Sequence, residues 1–127
     1  VPEKDGLLAC ALIAEMVMDR EKKLSAILKD VEEKYGKLIS ERLDIECGPE
    51  EKPKVLERIE AFDVDEIAGY KVLEQITKDG MKVVLEDGSW CLMRPSGTEP
   101  LIRVYVETSD HKLMEQIQTE VREELQI

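Results

Sequence analysis

Met81-Lys82-Val83-Val84-Leu85-Glu86-Asp87-Gly88-Ser89-Trp90-Cys91-Leu92-Met93 is the stretch that decides the fold. Two apolar runs flank an Asp-Gly pair. Asp-Gly in that setting is the strongest short-range hairpin signal, because both central turn positions favour positive φ. A second pair, Asp79-Gly80, joins Met81 back to Val72, Leu73 and Ile76, so strands are expected from Val72 onward. Leu101-Ile102-Arg103-Val104-Tyr105-Val106-Glu107 is a further strand rich in β-branched residues. Ser109 or Asp110 then caps a last helix, in which Leu113, Ile117, Val121 and Leu125 recur every four residues. Upstream, Arg42 to Cys47 alternates apolar and polar residues until Gly48-Pro49 stops the strand, and Pro53 opens a short helix to about Ala61. The order β-α-β-β-β-β-α predicts an α+β fold over residues 41–127. Its sheet is antiparallel, four- to five-stranded, with helices packed on one face.

Residues 1–40 read differently. Lys4 to Asp19 is expected to be a helix, with Leu7, Leu8, Leu12, Ile13, Met16 and Val17 spread over more than one stripe. A helix apolar most of the way round wants burial on several sides. Leu24, Ile27, Leu28 and Val31 mark a second, amphipathic helix ending at Tyr35-Gly36, where Gly36 suits a left-handed C-terminal position. Left exposed, the first helix would favour self-association. The chain starts at Val1 rather than Met, and Val-Pro-Glu-Lys-Asp-Gly reads like the middle of something longer.

Composition narrows the partners. With 29 acids against 18 bases the 127-residue chain carries a formal charge of −11, which repels nucleic-acid phosphates and anionic lipid. Neither nucleic acid nor membrane is an expected partner. The apolar stretch from Leu7 to Met18 is too short to cross a bilayer, and no signal peptide is legible. Cys10, Cys47 and Cys91 are odd in number and far apart, and His111 is the single histidine, so zinc-ligand spacing is absent. Reduced thiols in the cytoplasm are the expectation. Asp63-Val64-Asp65-Glu66 is read as a solvated acidic run rather than a metal site.

The chemistry concentrates in Arg94-Pro95-Ser96-Gly97-Thr98-Glu99-Pro100-Leu101-Ile102-Arg103. Pro95 and Pro100 fix φ and cannot donate to a ladder, so the segment leaves the sheet as a shaped loop. Gly97 can take φ > 0 and let successive N–H groups converge on one anion. Ser96 and Thr98 add hydroxyls, Arg94 offers a planar fork, and Arg103 is close enough to reach the same anion. On residue types alone a tight surface turn, with its arginines paired to neighbouring acids, stands beside phosphate binding. Glu99 favours the former unless it points away or orients an arginine.

The loop and its following strand, Arg-Pro-Ser-Gly-Thr-Glu-Pro-Leu-Ile-Arg-Val-Tyr-Val-Glu, resemble the C-terminal phosphate-binding loop of the phosphohexomutase family. That family interconverts hexose 1- and 6-phosphates. Lys4-Asp5-Gly6-Leu7-Leu8-Ala9 resembles the helix after the sugar-binding loop of the family's third domain, which makes residues 1–40 the helical end of a preceding α/β domain. The resemblance implies that Arg94, Ser96, Gly97, Thr98 and Arg103 hold the substrate phosphate that is not reacting. A phosphoserine elsewhere in the protein would donate its phosphoryl group, giving a hexose 1,6-bisphosphate intermediate. Mg2+ is implied for the full-length enzyme, with ligands outside this chain. The expected partners are a phosphorylated hexose and the upstream domains of the same protein. Phosphoryl transfer needs a metal and a nucleophile as well as positioning, so neither catalytic nor metal-binding residues are expected here and the chain alone should not turn over. The alternative is a free-standing anion-binding or regulatory module that senses a phosphorylated ligand; a structural domain with a relic loop is a third option.

Overall fold

A computed structural model describes residues 5–127. The chain divides into two compact units, the first running through Lys37 and the second spanning Leu38–Ile127.

The first unit contains helices α1 (Gly6–Arg20) and α2 (Leu24–Tyr35). Asp5 caps α1 by accepting the Leu8 N–H at 2.9 Å. Lys4, the expected start of the helix, lies outside the described residues. No residue of α1 is buried: Leu7, Leu8, Leu12, Ile13 and Met18 are exposed, and only Met16 and Val17 are partly covered. Gly36 ends α2 with φ +90° but ψ 155°, so the chain leaves by straightening rather than through the left-handed turn expected.

The second unit is built from β1 (Ile39–Glu46), α3 (Lys52–Glu60), β2 (Glu66–Ile67), β3 (Tyr70–Ile76), β4 (Met81–Leu85), β5 (Trp90–Pro95), β6 (Leu101–Thr108) and α4 (His111–Leu125). The strands form one antiparallel sheet in the order β1-β6-β5-β4-β3-β2. Its six strands exceed the four to five expected. The extra one is the two-residue β2, where Ile67 pairs with Tyr70 across Ala68 and Gly69, both at positive φ (54° and 82°). An alanine in that region is strained and gives no turn signal in sequence. Its N–H donates to the Glu120 carboxylate on α4 at 2.6 Å, a bond that exists only once the fold has formed.

The Asp-Gly turns are present with a different geometry from the one expected. Positive φ is confined to Gly80 (89°) and Gly88 (88°). In the β4–β5 hairpin Gly88 N–H donates to Leu85 C=O and Leu85 N–H to Ser89 C=O, at 3.0 and 2.8 Å. That pattern belongs to a three-residue loop with glycine at the left-handed position, not to a two-residue loop.

Alternation along the strands sorts the two faces. Met81, Val83, Leu85, Cys91, Met93, Ile102, Val104 and Val106 point to one face and are buried against Val55 and Ile59 of α3 and Leu113, Met114, Ile117, Val121 and Leu125 of α4. Each fully buried Leu or Ile contributes on the order of 1.5–3 kcal/mol. Asp110 starts α4 by accepting the N–H groups of Lys112 and Leu113 at 2.8 and 3.0 Å. The opposite face carries Leu92, Arg94, Arg103 and Tyr105, all half-buried. Among the described residues no helix is long and apolar enough to cross a membrane.

Candidate functional site

The site begins where β5 and β6 run out of ladder. Arg94 pairs directly with Arg103 in the β5–β6 register, and Arg103 with Asp44 in the β1–β6 register. Directly opposed side chains share a face, so two guanidinium groups sit side by side on the open face. Like charges in that arrangement destabilise a sheet unless something anionic lies between or beside them.

Carboxylates from three places do so. Arg94 pairs with Asp79 of the β3–β4 turn. Arg103 donates to Glu99 at 2.6 Å and lies 3.7 Å from Asp44, which also accepts from Arg42 at 2.9 Å. Glu99 therefore orients an arginine rather than opposing an anion. Arg94 lies over the Tyr105 ring at 5.9 Å, and its bond to Asp79 raises its already high pKa. The Nε atoms of both arginines are buried without a hydrogen-bond partner among the described residues. The turn holding Asp79 is pressed close to Arg94: a Cβ on Gly80 would collide with the Met93 carbonyl oxygen and lie 2.7 Å from Arg94 Cβ.

Between the two arginines, residues 96–100 form a loop closed from within. Ser96 N–H donates to Leu101 C=O at 3.0 Å. The nearly buried Ser96 hydroxyl accepts the Glu99 N–H at 3.3 Å. Leu101 N–H donates to Glu99 C=O at 2.9 Å, a three-residue turn for which Pro100's fixed φ is suited. Cys47, just past β1, donates its N–H to Pro100 C=O at 3.0 Å.

Of the expected site residues, Arg94, Ser96, Gly97, Thr98 and Arg103 are thus brought to one end of the sheet. Gly97 departs from expectation in one respect: it is not at positive φ, because the Ser96 hydroxyl and the Pro100 turn bend the loop instead. A Cβ at Gly97 would meet nothing within 4 Å, so what glycine contributes here is open space beside the backbone. Gly97 and Thr98 are exposed, and their N–H groups donate to no group among the described residues. Both amides are free to donate to an anion.

Sequence reasoning missed Lys52, the first residue of α3. Its ammonium donates to Ser96 C=O at 2.9 Å and Glu99 C=O at 3.0 Å. It also missed Asp79 and Asp44 as partners of the arginines. Asp79 was legible only as a turn residue, and Lys52 carried no signal. The remaining candidates bring no side chain to the loop: His111 is exposed at the start of α4, and Cys47, which meets the loop only through its backbone N–H, and Cys91 are buried thiols whose pKa burial pushes up, to about 12 for Cys91.

Comparison with known proteins bears on this arrangement. The profile described as "Phosphoglucomutase/phosphomannomutase, C-terminal domain" matches residues 12–124. A probable phosphoglucosamine mutase of Methanothermobacter thermautotrophicus is 38% identical over 103 residues, covering 81% of this chain and 21% of that protein. A phosphopentomutase of Thermococcus kodakarensis is 32% identical over 116 residues (91% and 24%), and a phosphoglucomutase of Komagataeibacter xylinus 30% identical over 132 (95% and 23%). The chain thus spans about a fifth to a quarter of the length of these relatives. In fold it is similar to a phosphoglucomutase/phosphomannomutase family protein of Burkholderia thailandensis, with a TM-score of 0.54 at 22% identity over 71% of this chain and 18% of that one. The chain belongs to the phosphoglucomutase/phosphomannomutase family and carries its C-terminal domain.

Proposed function

We propose that the 96–100 loop, flanked by Arg94 and Arg103, grips the phosphate of a phosphorylated sugar for a mutase of which this chain is the C-terminal part. The observation that carries the reading is the free pair of amides at Gly97 and Thr98, set between two in-register guanidinium groups. Two N–H donors and two cationic forks match a phosphate dianion, and hydrogen bonds to a charged group contribute about 1.5–3 kcal/mol each. The Ser96 hydroxyl accepts the Glu99 N–H and keeps its own proton to donate.

Relatives named for glucosamine, pentose and glucose phosphates share this domain. A grip built for phosphate rather than for sugar hydroxyls is consistent with that spread, and the substrate class of this reading is sugar phosphates rather than hexose phosphates alone. In this reading the reacting serine, the bisphosphate intermediate and Mg2+ belong to the rest of the parent protein. Among the described residues no three His, Cys, Asp or Glu side chains come together to hold a metal ion. Helices α1 and α2 are, on the same reading, the helical end of the preceding domain, and the uncovered apolar residues of α1 are the surface that domain would bury.

The test is substitution of Arg94 in the parent enzyme. Loss of one charge-assisted contact of about 1.5–3 kcal/mol should lower kcat/KM of Arg94→Ala by about 10- to 150-fold. Arg94→Lys should recover only part, because an ammonium lacks the two-pronged geometry. Unchanged kcat and KM in Arg94→Ala would leave the loop a surface turn.

A further inference from the structure

We infer that Lys52 is the positioning residue of the phosphate grip: it straps the carbonyls at both ends of the loop and thereby aims the Gly97 amide at the anion. The inference rests on the phosphate reading of the loop and names the residue that shapes it.

The two bonds, from Nζ to Ser96 O at 2.9 Å and to Glu99 O at 3.0 Å, connect positions 44 and 47 residues apart in sequence. In a trans peptide the C=O and the following N–H point in opposite directions. Holding the Ser96 carbonyl on Lys52 therefore turns the Gly97 N–H away from α3, and that N–H is unspent among the described residues. The second bond fixes Glu99 C=O, which also accepts Leu101 N–H, so one ammonium secures the start and the end of the span containing Gly97 and Thr98.

Location supplies an independent reason. Lys52 is the first residue of α3, where a cation opposes the helix dipole. No carboxylate lies within ion-pair distance of its ammonium among the described residues, whereas Arg94 and Arg103 are both neutralised by acids. In a chain of net charge −11, it is the cation at this loop whose charge is not already cancelled. It therefore favours a nearby anion as well as holding the carbonyls.

The experiment is an NMR titration of the 127-residue chain with inorganic phosphate, comparing the wild type with Lys52→Met and Lys52→Arg. Amide shifts at Gly97 and Thr98 report binding, and carbonyl carbon shifts at Ser96 and Glu99 report the strap. Lys52→Met should move both carbonyl resonances without phosphate and weaken phosphate binding by about fivefold or more, which corresponds to about 1 kcal/mol, the net worth of an ordinary hydrogen bond. Lys52→Arg, which keeps charge and donors, should restore most of both. Wild-type affinity in Lys52→Met would overturn the inference even with the phosphate reading intact. Absence of Gly97 and Thr98 shifts in the wild type would instead overturn the phosphate reading, and unmoved carbonyls would still reject the strap on its own. Should Lys52→Met not fold, Lys52→Arg decides: unchanged carbonyl shifts and affinity support the strap, and a loss as large as that of Arg94→Ala rejects it.

Discussion

Asp79→Asn should tighten phosphate binding. The Asp79 carboxylate occupies one edge of the Arg94 guanidinium, and a phosphate that engages that fork must displace it. The asparagine is nearly isosteric and still accepts a hydrogen bond, but the charge that competes with phosphate is gone. The pair is partly solvated, with Asp79 72% and Arg94 33% exposed in their side chains, so its worth is that of a surface ion pair, about 0.2–1 kcal/mol. Relief of that competition corresponds to an affinity gain of about 1.4- to 5-fold, measured by titration with inorganic phosphate at low ionic strength. The gain should shrink toward nothing near 1 M salt, where charges are screened over about 3 Å. Glu115→Gln on α4 removes the same unit of charge without touching Arg94 and should change little. An unchanged or weaker affinity in Asp79→Asn, with the control unmoved, would refute the reasoning: Asp79 would then be the residue that aims Arg94 rather than its competitor.

Three further outcomes test the scaffold. Gly80→Ala must fit a Cβ against the Met93 carbonyl at φ +89°, whereas Gly88→Ala meets open space at φ +88°; both carry about 1–2 kcal/mol of left-handed strain, and chemical denaturation should show Gly80→Ala the costlier because of the added collision. Ile117→Ala empties a fully buried position on α4 and should cost about 2–5 kcal/mol in a urea melt, a large share of the about 5–15 kcal/mol typical of a domain. The Cys91 thiol is fully buried with its pKa raised from 9.0 to about 12, so the unfolded chain loses its proton first. That group's contribution to stability is complete below pH 9 and declines as pH rises toward 12, and Cys91→Val should remove that part of the alkaline slope in pH-dependent melts.

Legibility in the sequence followed the range over which each feature is determined. The strands from Val72 to Glu107 were readable because their signals are local: alternation within a run and Asp-Gly between runs. α4 was readable from its four-residue spacing and from Asp110. β2 was not, since two residues carry no period and the left-handed Ala68 is held by Glu120, 52 residues away. The same divide runs through the site. The loop's residue types left an anion grip standing beside a tight surface turn, and the conformation of Gly97 was misjudged, because the bend comes from the Ser96 hydroxyl and the turn at Pro100. Lys52 and Asp79 reach the loop and Arg94 only through tertiary packing, and the first residue of a helix or the tip of a turn looks ordinary in a linear reading.

What sets the arginine pair in place is the burial of other residues. Arg94 follows Met93, and Arg103 lies between Ile102 and Val104; all three apolar neighbours are fully buried on the helix-covered face. Because side chains alternate with period two, a slip of β6 by one residue against β5 would turn the Arg103 guanidinium into the core and expose Ile102 and Val104. Taking even one unpaired charge out of water costs several kcal/mol, and losing two buried apolar side chains at about 1.5–3 kcal/mol each adds to it. Nothing on the open face could offset that sum: the ion pairs there are worth about 1 kcal/mol or less apiece. The register that brings Arg94 opposite Arg103 is therefore specified by the hydrophobic face, and the site face inherits it. Residues on the open face can then be chosen for their chemistry, including two like charges side by side that no isolated hairpin would favour.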